Sequence, residues 1–176
     1  FVERFGLEDF KTSVRALEVF TAACSSEFAV RPFIVRYPQE MMRQMLEWSK
    51  HKSEHVRRLA SEGCRPRLPW AMALPEFKKD PRPVLKVLEN LKSDTSEYVR
   101  RSVANNLNDI SKDNLEVALQ TAERWFGKNK ATDALVRHAL RNELKKGNKR
   151  ALALFALPHR TKARINKLEI TPARIR

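Results

Sequence analysis

With 176 residues, 42% of them hydrophobic and 32% charged, the chain can bury a sizeable core, and its composition argues against a disordered or fibrous protein. Thirty-five Lys and Arg against 21 Asp and Glu leave a net charge of +14 and a pI near 10.2, which favours a polyanionic partner, either nucleic acid or an acidic membrane surface. No run of about 18 apolar residues occurs, FVERFGLEDF carries acids where a signal peptide is basic and then apolar, and Cys24 and Cys64 are too few for a disulfide framework.

Only four Gly occur, and long stretches carry a 3.6-residue apolar period, so helices are predicted throughout and no central strand. Phe10, Val14, Leu17 and Thr21 share one face of a first helix. A second is expected from Ser26 to Tyr37, and a third from Pro38, a favourable first-turn residue, through Met41, Met42, Met45 and Leu46. Ser53 to Cys64 makes a fourth, ended by Gly63 and the loop with Pro66 and Pro69; Val84 to Leu91 follows. Asp94 and Glu97 fit a capping box for a helix reaching Ile110, and Asp113 is expected to cap the next, to Phe126. Ala131 to Lys145 and Lys149 to Leu157 complete the set.

Three segments align without gaps: SEHVRRLASEG from Ser53, SEYVRRSVANN from Ser96 and DALVRHALRNE from Asp133, with a weaker fourth copy around Val30 and Arg31. Val56, Val99 and Val136 recur at the spacing of two-helix HEAT-like units, so the predicted fold is an all-α, right-handed solenoid with a basic concave face. Arg57, Arg58, Arg100, Arg101, Arg137 and His138 would line that face as rungs, with Asn105 among them. From Arg141 to Arg176 eleven Lys or Arg stand against two acids, Glu143 and Glu169. Lys145 and Lys146 in this stretch suit phosphate contact, and equally suit the dipole of a helix end. The expected organisation is a repeat domain over residues 1–158 and a basic segment over 159–176. Both ends read as cut from a longer protein.

Together with the strings ASEGCRPRLPWAMAL (Ala60 to Leu74) and SEYVRRSVANNLNDISKDN (Ser96 to Asn114), the repeat resembles the DNA alkylation repair family, the HEAT-like-repeat alkylpurine DNA glycosylases of the AlkC and AlkD type. The likeness runs over nearly the whole chain and is nearer to the AlkC side, where some members continue into an immunoglobulin-like domain; KLEITPARIR is similar to its opening strand. The resemblance implies a monomeric, monofunctional glycosylase that removes cationic bases such as 3-methyladenine from double-stranded DNA, in the cytoplasm and on the bacterial nucleoid, with no cofactor and no metal. Composition and periodicity alone reach only a basic helical groove.

Loss of an alkylated purine passes through an oxocarbenium-like sugar, which a carboxylate can stabilise while orienting water. Glu62 is the first candidate, because it ends its helix against the dipole, a cost of roughly 0.3–1 kcal/mol, and lies in the string that carries the resemblance. A salt bridge to Arg65 or Arg67, both candidates for DNA contact, would explain it as well. Glu97 is the second acid. A cationic base is attracted to an aromatic face, which brings in Trp70 beside Glu62, then Trp48 and Tyr98; Trp125 reads as core. Members of the AlkD type act on a stacked base through an Asp flanked by Trp residues, and here Asn105, Asn106 and Asp109 have no Trp beside them. His51 and His55 in HKSEH lack the acid of a zinc protease motif, and no phosphate-binding Gly-rich loop occurs. Two alternatives stay open: a non-catalytic binder of damaged, bent or branched DNA, and a protein-binding solenoid, which would leave the basic rungs unexplained.

Overall fold

The computed structural model describes residues 1–157, and every regular element among them is an α-helix. The segment expected over 159–176, with its strand in KLEITPARIR, lies outside the described residues. A short α1 (Val2–Phe5) precedes α2 (Phe10–Phe20), whose first turn is capped by the Asp9 carboxylate accepting from the Thr12 amide. The expected second helix is shorter, α3 (Arg31–Arg36). Pro32 has no N–H to bond the preceding turn, so it sits in the first turn of α3. Upstream, the Ser26 hydroxyl instead donates 3.0 Å to the Leu17 carbonyl and holds a loop.

The stack follows: α4 (Pro38–Trp48), α5 (Glu54–Gly63), a five-residue α6 (Pro75–Lys79), α7 (Arg82–Leu91), α8 (Glu97–Asp113), α9 (Leu115–Trp125), α10 (Lys130–Ala139), α11 (Arg141–Lys145) and α12 (Lys149–Leu154). In the units α4/α5, α7/α8 and α9/α10 the two helices pack on each other, and the second helices α5, α8 and α10 pack side by side as an inner layer. Val56, Val99 and Val136 are all buried there, as are the residues three and four positions on: Leu59 and Ala60, Ser102 and Val103, Ala139 and Leu140. Each unit thus buries its stripe against its neighbour, the packing of a HEAT-like solenoid.

Three further expectations differ. Asp94 and Glu97 form no capping box: Ser96 is the N-cap of α8, and Asp94 accepts from the Ser96 amide at 2.8 Å. Asp113 ends α8 rather than capping α9, because its carboxylate is taken by Arg67, and Asn114 holds the N-cap position. The helix expected from Ala131 to Lys145 breaks at Leu140. There the Asn108 side chain donates to the Ala139 carbonyl and Arg141 donates to the His138 carbonyl, both at 2.7 Å, in place of helical amides. At the end of α5, a Cβ on Gly63 would stand 2.6 Å from Val30 Cγ1, so only glycine permits this approach. Arg31, the weak fourth copy, is fully buried beneath it and donates to the carbonyls of Gly63 (2.9 Å) and Met72 (2.7 Å).

Candidate nucleic-acid interface and active site

Successive helical residues point about 100° apart, so the paired basic positions of the inner helices cannot share a face. The first Arg of each pair has a partner within the protein. Arg57 forks onto Asp94 at 2.6 and 2.9 Å and caps the His51 and Lys52 carbonyls. Arg100 repeats the second half of this, donating to the Asp94 and Thr95 carbonyls at 2.6 and 2.9 Å. Arg137 lies over the Phe155 ring, 4.7 Å from its centroid. All three were expected as rungs for phosphate; Arg57 and Arg100 also brace the loops before their helices, while Arg137 stays exposed beside its ring.

The second positions differ. Arg101 is 64% exposed, with Glu97 (77% exposed) at 3.7 Å. These two, with Arg100, Ala104, Leu135 and His138, line an open cleft of about 400 Å³ between α8 and α10. The His138 Nε2 is 3.2 Å from Asn105 Oδ1, which also accepts from Arg141 at 3.3 Å. Burial, with Arg141 and Arg101 nearby, holds His138 below the ordinary imidazole range. Lys145 is exposed at the end of α11, whereas Lys146 pairs with Glu143 at 2.7 Å.

Glu62 is only 5% exposed, in the last turn of α5. One carboxylate oxygen accepts from Arg65 Nη1 at 2.6 Å, the other from the Ser102 hydroxyl of α8 at 2.6 Å, and Arg58 Nη2 stands 3.6 Å away. Arg65 continues into α8, its Nε donating 2.7 Å to Asp109, which also receives Lys112 at 3.0 Å. Burial works to lower the Arg65 pKa, but the Asp109 hydrogen bond and the Glu62 charge overcome it and hold it above its usual value. Arg65, expected to touch DNA, is therefore consumed inside the protein. Arg67, the other candidate partner of Glu62, is forked onto Asp113 at 2.6 and 2.7 Å. Arg58 is bound by Glu27 and Ser25 and lies 5.2 Å from the centroid of the Tyr98 ring, which is half exposed beside His55.

Of the aromatic candidates, Trp48 is a core residue: it is 1% exposed, with its indole N–H donating 2.6 Å to Glu18, so no ligand can reach its ring. Trp70 is 99% exposed, at φ +59, a left-handed conformation unusual for a residue with a side chain. Arg31 holds the loop that carries it. Ser102, Asp109, Arg141 and Arg31 complete the surroundings; in the sequence Asp109 stood out only against the AlkD pattern and Arg31 only as part of the weak fourth copy, while Ser102 and Arg141 carried no site role. Helical spacing offered a signal for two, since Ser102 and Asp109 are seven apart and share a face of α8. Among the described residues no group of three or more His, Cys, Asp or Glu could hold a metal ion, and no helix is long and apolar enough to cross a membrane.

Residues 19–146 match the family model described as DNA alkylation repair enzyme. A Bacillus subtilis (strain 168) protein described as uncharacterized protein YhaZ is 51% identical over 175 residues, 99% of this chain and 49% of that one. Among solved structures, Pseudomonas fluorescens alkylpurine DNA glycosylase AlkC bound to DNA containing an abasic site analog is similar with a TM-score of 0.85 and 49% identity, over 88% of this chain and 43% of that one. The chain thus spans about half the length of these relatives.

Proposed function

The chain belongs to the DNA alkylation repair enzyme family, and on that premise we propose that it binds duplex DNA along the inner helices and acts as a monofunctional glycosylase on cationic alkylated purines such as 3-methyladenine. The observation that carries this reading is the Glu62 carboxylate, fixed by Arg65 and Ser102 at the end of an inner helix. A carboxylate has about four acceptor directions, so two strong donors leave capacity for a sugar or a water. In the reaction the C1′–N bond breaks, its electron pair leaves with the base, and the cationic base departs neutral. The sugar becomes oxocarbenium-like, the carboxylate stabilises that charge, and water adds at C1′ while its proton passes to the carboxylate or to solvent. The base carries its positive charge before the bond breaks and leaves neutral, so the scheme calls on no metal and no cofactor.

Glu97 is the second acid of the proposal, in the cleft with Arg101 and His138. Arg101 and Lys145 supply phosphate contacts, while Trp70 and Tyr98 supply aromatic contact to the DNA. A similar solved structure, an alkylpurine DNA glycosylase bound to DNA containing an abasic site analog, supports the assignment. One observation favours a second reading, a non-catalytic DNA binder: Glu62 and Arg65 satisfy each other as a structural ion pair would. The two readings separate when the full-length protein is incubated with methylated duplex DNA. Free base and abasic sites without strand cleavage support the glycosylase, and tight binding with no free base supports the binder.

A further inference from the structure

Away from the inner helices the solenoid carries a second concavity. Two clefts of about 300 and 480 Å³ share Pro38 and Phe77 in their linings and so form one groove, with α3 and α4 on one side and α6 and α7 on the other. None of its lining residues belongs to α5, α8 or α10. The narrow half is walled by Ile34, Leu74 and an exposed Val35, and the wide half is floored by Met42 and Leu46. Pro38, Pro75 and Pro83 stand in the first turns of α4, α6 and α7 along its length. Each presents a rigid apolar ring and no backbone donor.

We propose that this groove docks an acidic, apolar segment of a partner protein. Charge selects the occupant. Arg43 and Lys86 flank the wide half: Arg43 has only Glu40, at 3.9 Å, and Lys86 has no ion-pair partner among the described residues. Lys86 also borders the next cleft along α7, together with Arg82 and Arg124. Glu76, the only acid among the groove's described lining residues, is taken by Lys79 at 2.8 Å. Apolar walls between exposed cations fit a peptide whose Leu- or Phe-like anchors are flanked by Asp or Glu. A nucleic acid would find no open aromatic face for stacking, since Phe77 is buried in the floor. A second copy brings a net charge of +14, and residues 158–176 carry six Lys or Arg against one acid, Glu169, so both would meet this rim with like charge.

The test is selection of phage-displayed random peptides on the full-length protein, with excess duplex DNA present to occupy the inner face, followed by anisotropy titration of the best synthetic peptide. Recovered sequences should set Asp or Glu beside Leu, Ile or Phe, and duplex DNA should not displace them. Val35, Arg43 and Lys86 are all exposed, so changing them leaves the core intact. Val35→Asp, and separately Arg43→Glu with Lys86→Glu, should each weaken the peptide at least about tenfold. The same variants should keep their melting temperature and hold the duplex Kd within about threefold. Recovery of basic peptides, of none, or of peptides that bind the groove variants as well as the wild type would overturn the proposal. A large loss of duplex affinity in the variants would give the groove to DNA instead, and a dimer seen in sedimentation that Val35→Asp dissolves would give it to a second copy; either result overturns the peptide assignment.

Discussion

Replacing Glu62 by Gln removes one charge from a buried carboxylate and keeps its shape and one acceptor oxygen. Beside a sugar cation about 4 Å away, at an effective dielectric of about 20, that charge is worth ~4 kcal/mol. Arg65 and Arg58 lie at 2.6 and 3.6 Å and neutralise part of it, which brings the loss into the range typical of one preorganised electrostatic contact, about a hundredfold to a thousandfold in rate. The same substitution breaks the buried pair with Arg65, although Asp109 still holds that guanidinium, so a stability loss of about 1–3 kcal/mol is expected. For a domain of this size that is a fall of roughly 3–10 °C in Tm. A drop in melting temperature therefore does not distinguish a structural Glu62 from a catalytic one. Single-turnover release of 3-methyladenine, measured well below the variant's Tm, does. Duplex affinity should hold or rise, as one negative charge leaves a basic face. Near wild-type release by a folded Glu62→Gln protein would refute the reasoning and move the chemistry to Glu97.

The basic pairs should separate by position: Arg101→Gln lowers the salt slope of duplex binding by about 1, while Arg57→Gln lowers Tm and leaves the slope unchanged; equal salt effects from both would contradict the division seen on the inner helices. Trp48 and Trp125 are buried with their indole N–H groups on Glu18 and Glu89, so the exposed Trp70 should dominate acrylamide quenching. Duplex DNA should protect that signal, and Trp70→Ala should abolish the response; quenching unaffected by DNA would remove Trp70 from the interface. His138 is held below the ordinary imidazole range by burial and by Arg141 and Arg101, and a phosphate entering its cleft favours the imidazolium. Binding then takes up a proton, and affinity rises as pH falls from about 7.5 to about 5.5. Stability runs the other way, because a depressed folded pKa contributes fully above about 6.5 and is lost as pH falls through the folded value. Anisotropy titrations in which His138→Gln keeps the pH slope would exclude the cleft as a phosphate site.

The helices and the repeat were legible because both rest on periodicity: Val56, Val99 and Val136 recur in register and all three are buried. Where the reading missed, a tertiary contact had overridden a local signal. Leu140 interrupts a good helical pattern because Asn108 and Arg141 take the carbonyls around it, and Asp113 looks like a cap until Arg67 claims it. The site was legible in its residue types and not in its pairings. Glu62 stood out by working against its helix dipole, but Asp109, 47 positions on, could not be placed behind Arg65 without the packing of α5 on α8. The string of Arg residues did not reveal that Arg57 and Arg100 also cap the carbonyls of the loops before their helices.

The proposed reaction is hydrolysis of the N-glycosidic bond of bases that already carry positive charge. It is tested most directly by single-turnover abasic-site formation with the full-length protein, on two duplexes that differ only in the lesion, one cationic and one neutral alkylated purine. Abasic sites are expected from the cationic lesion and none above background from the neutral one. Equal release from both, or binding without release from either, would contradict it.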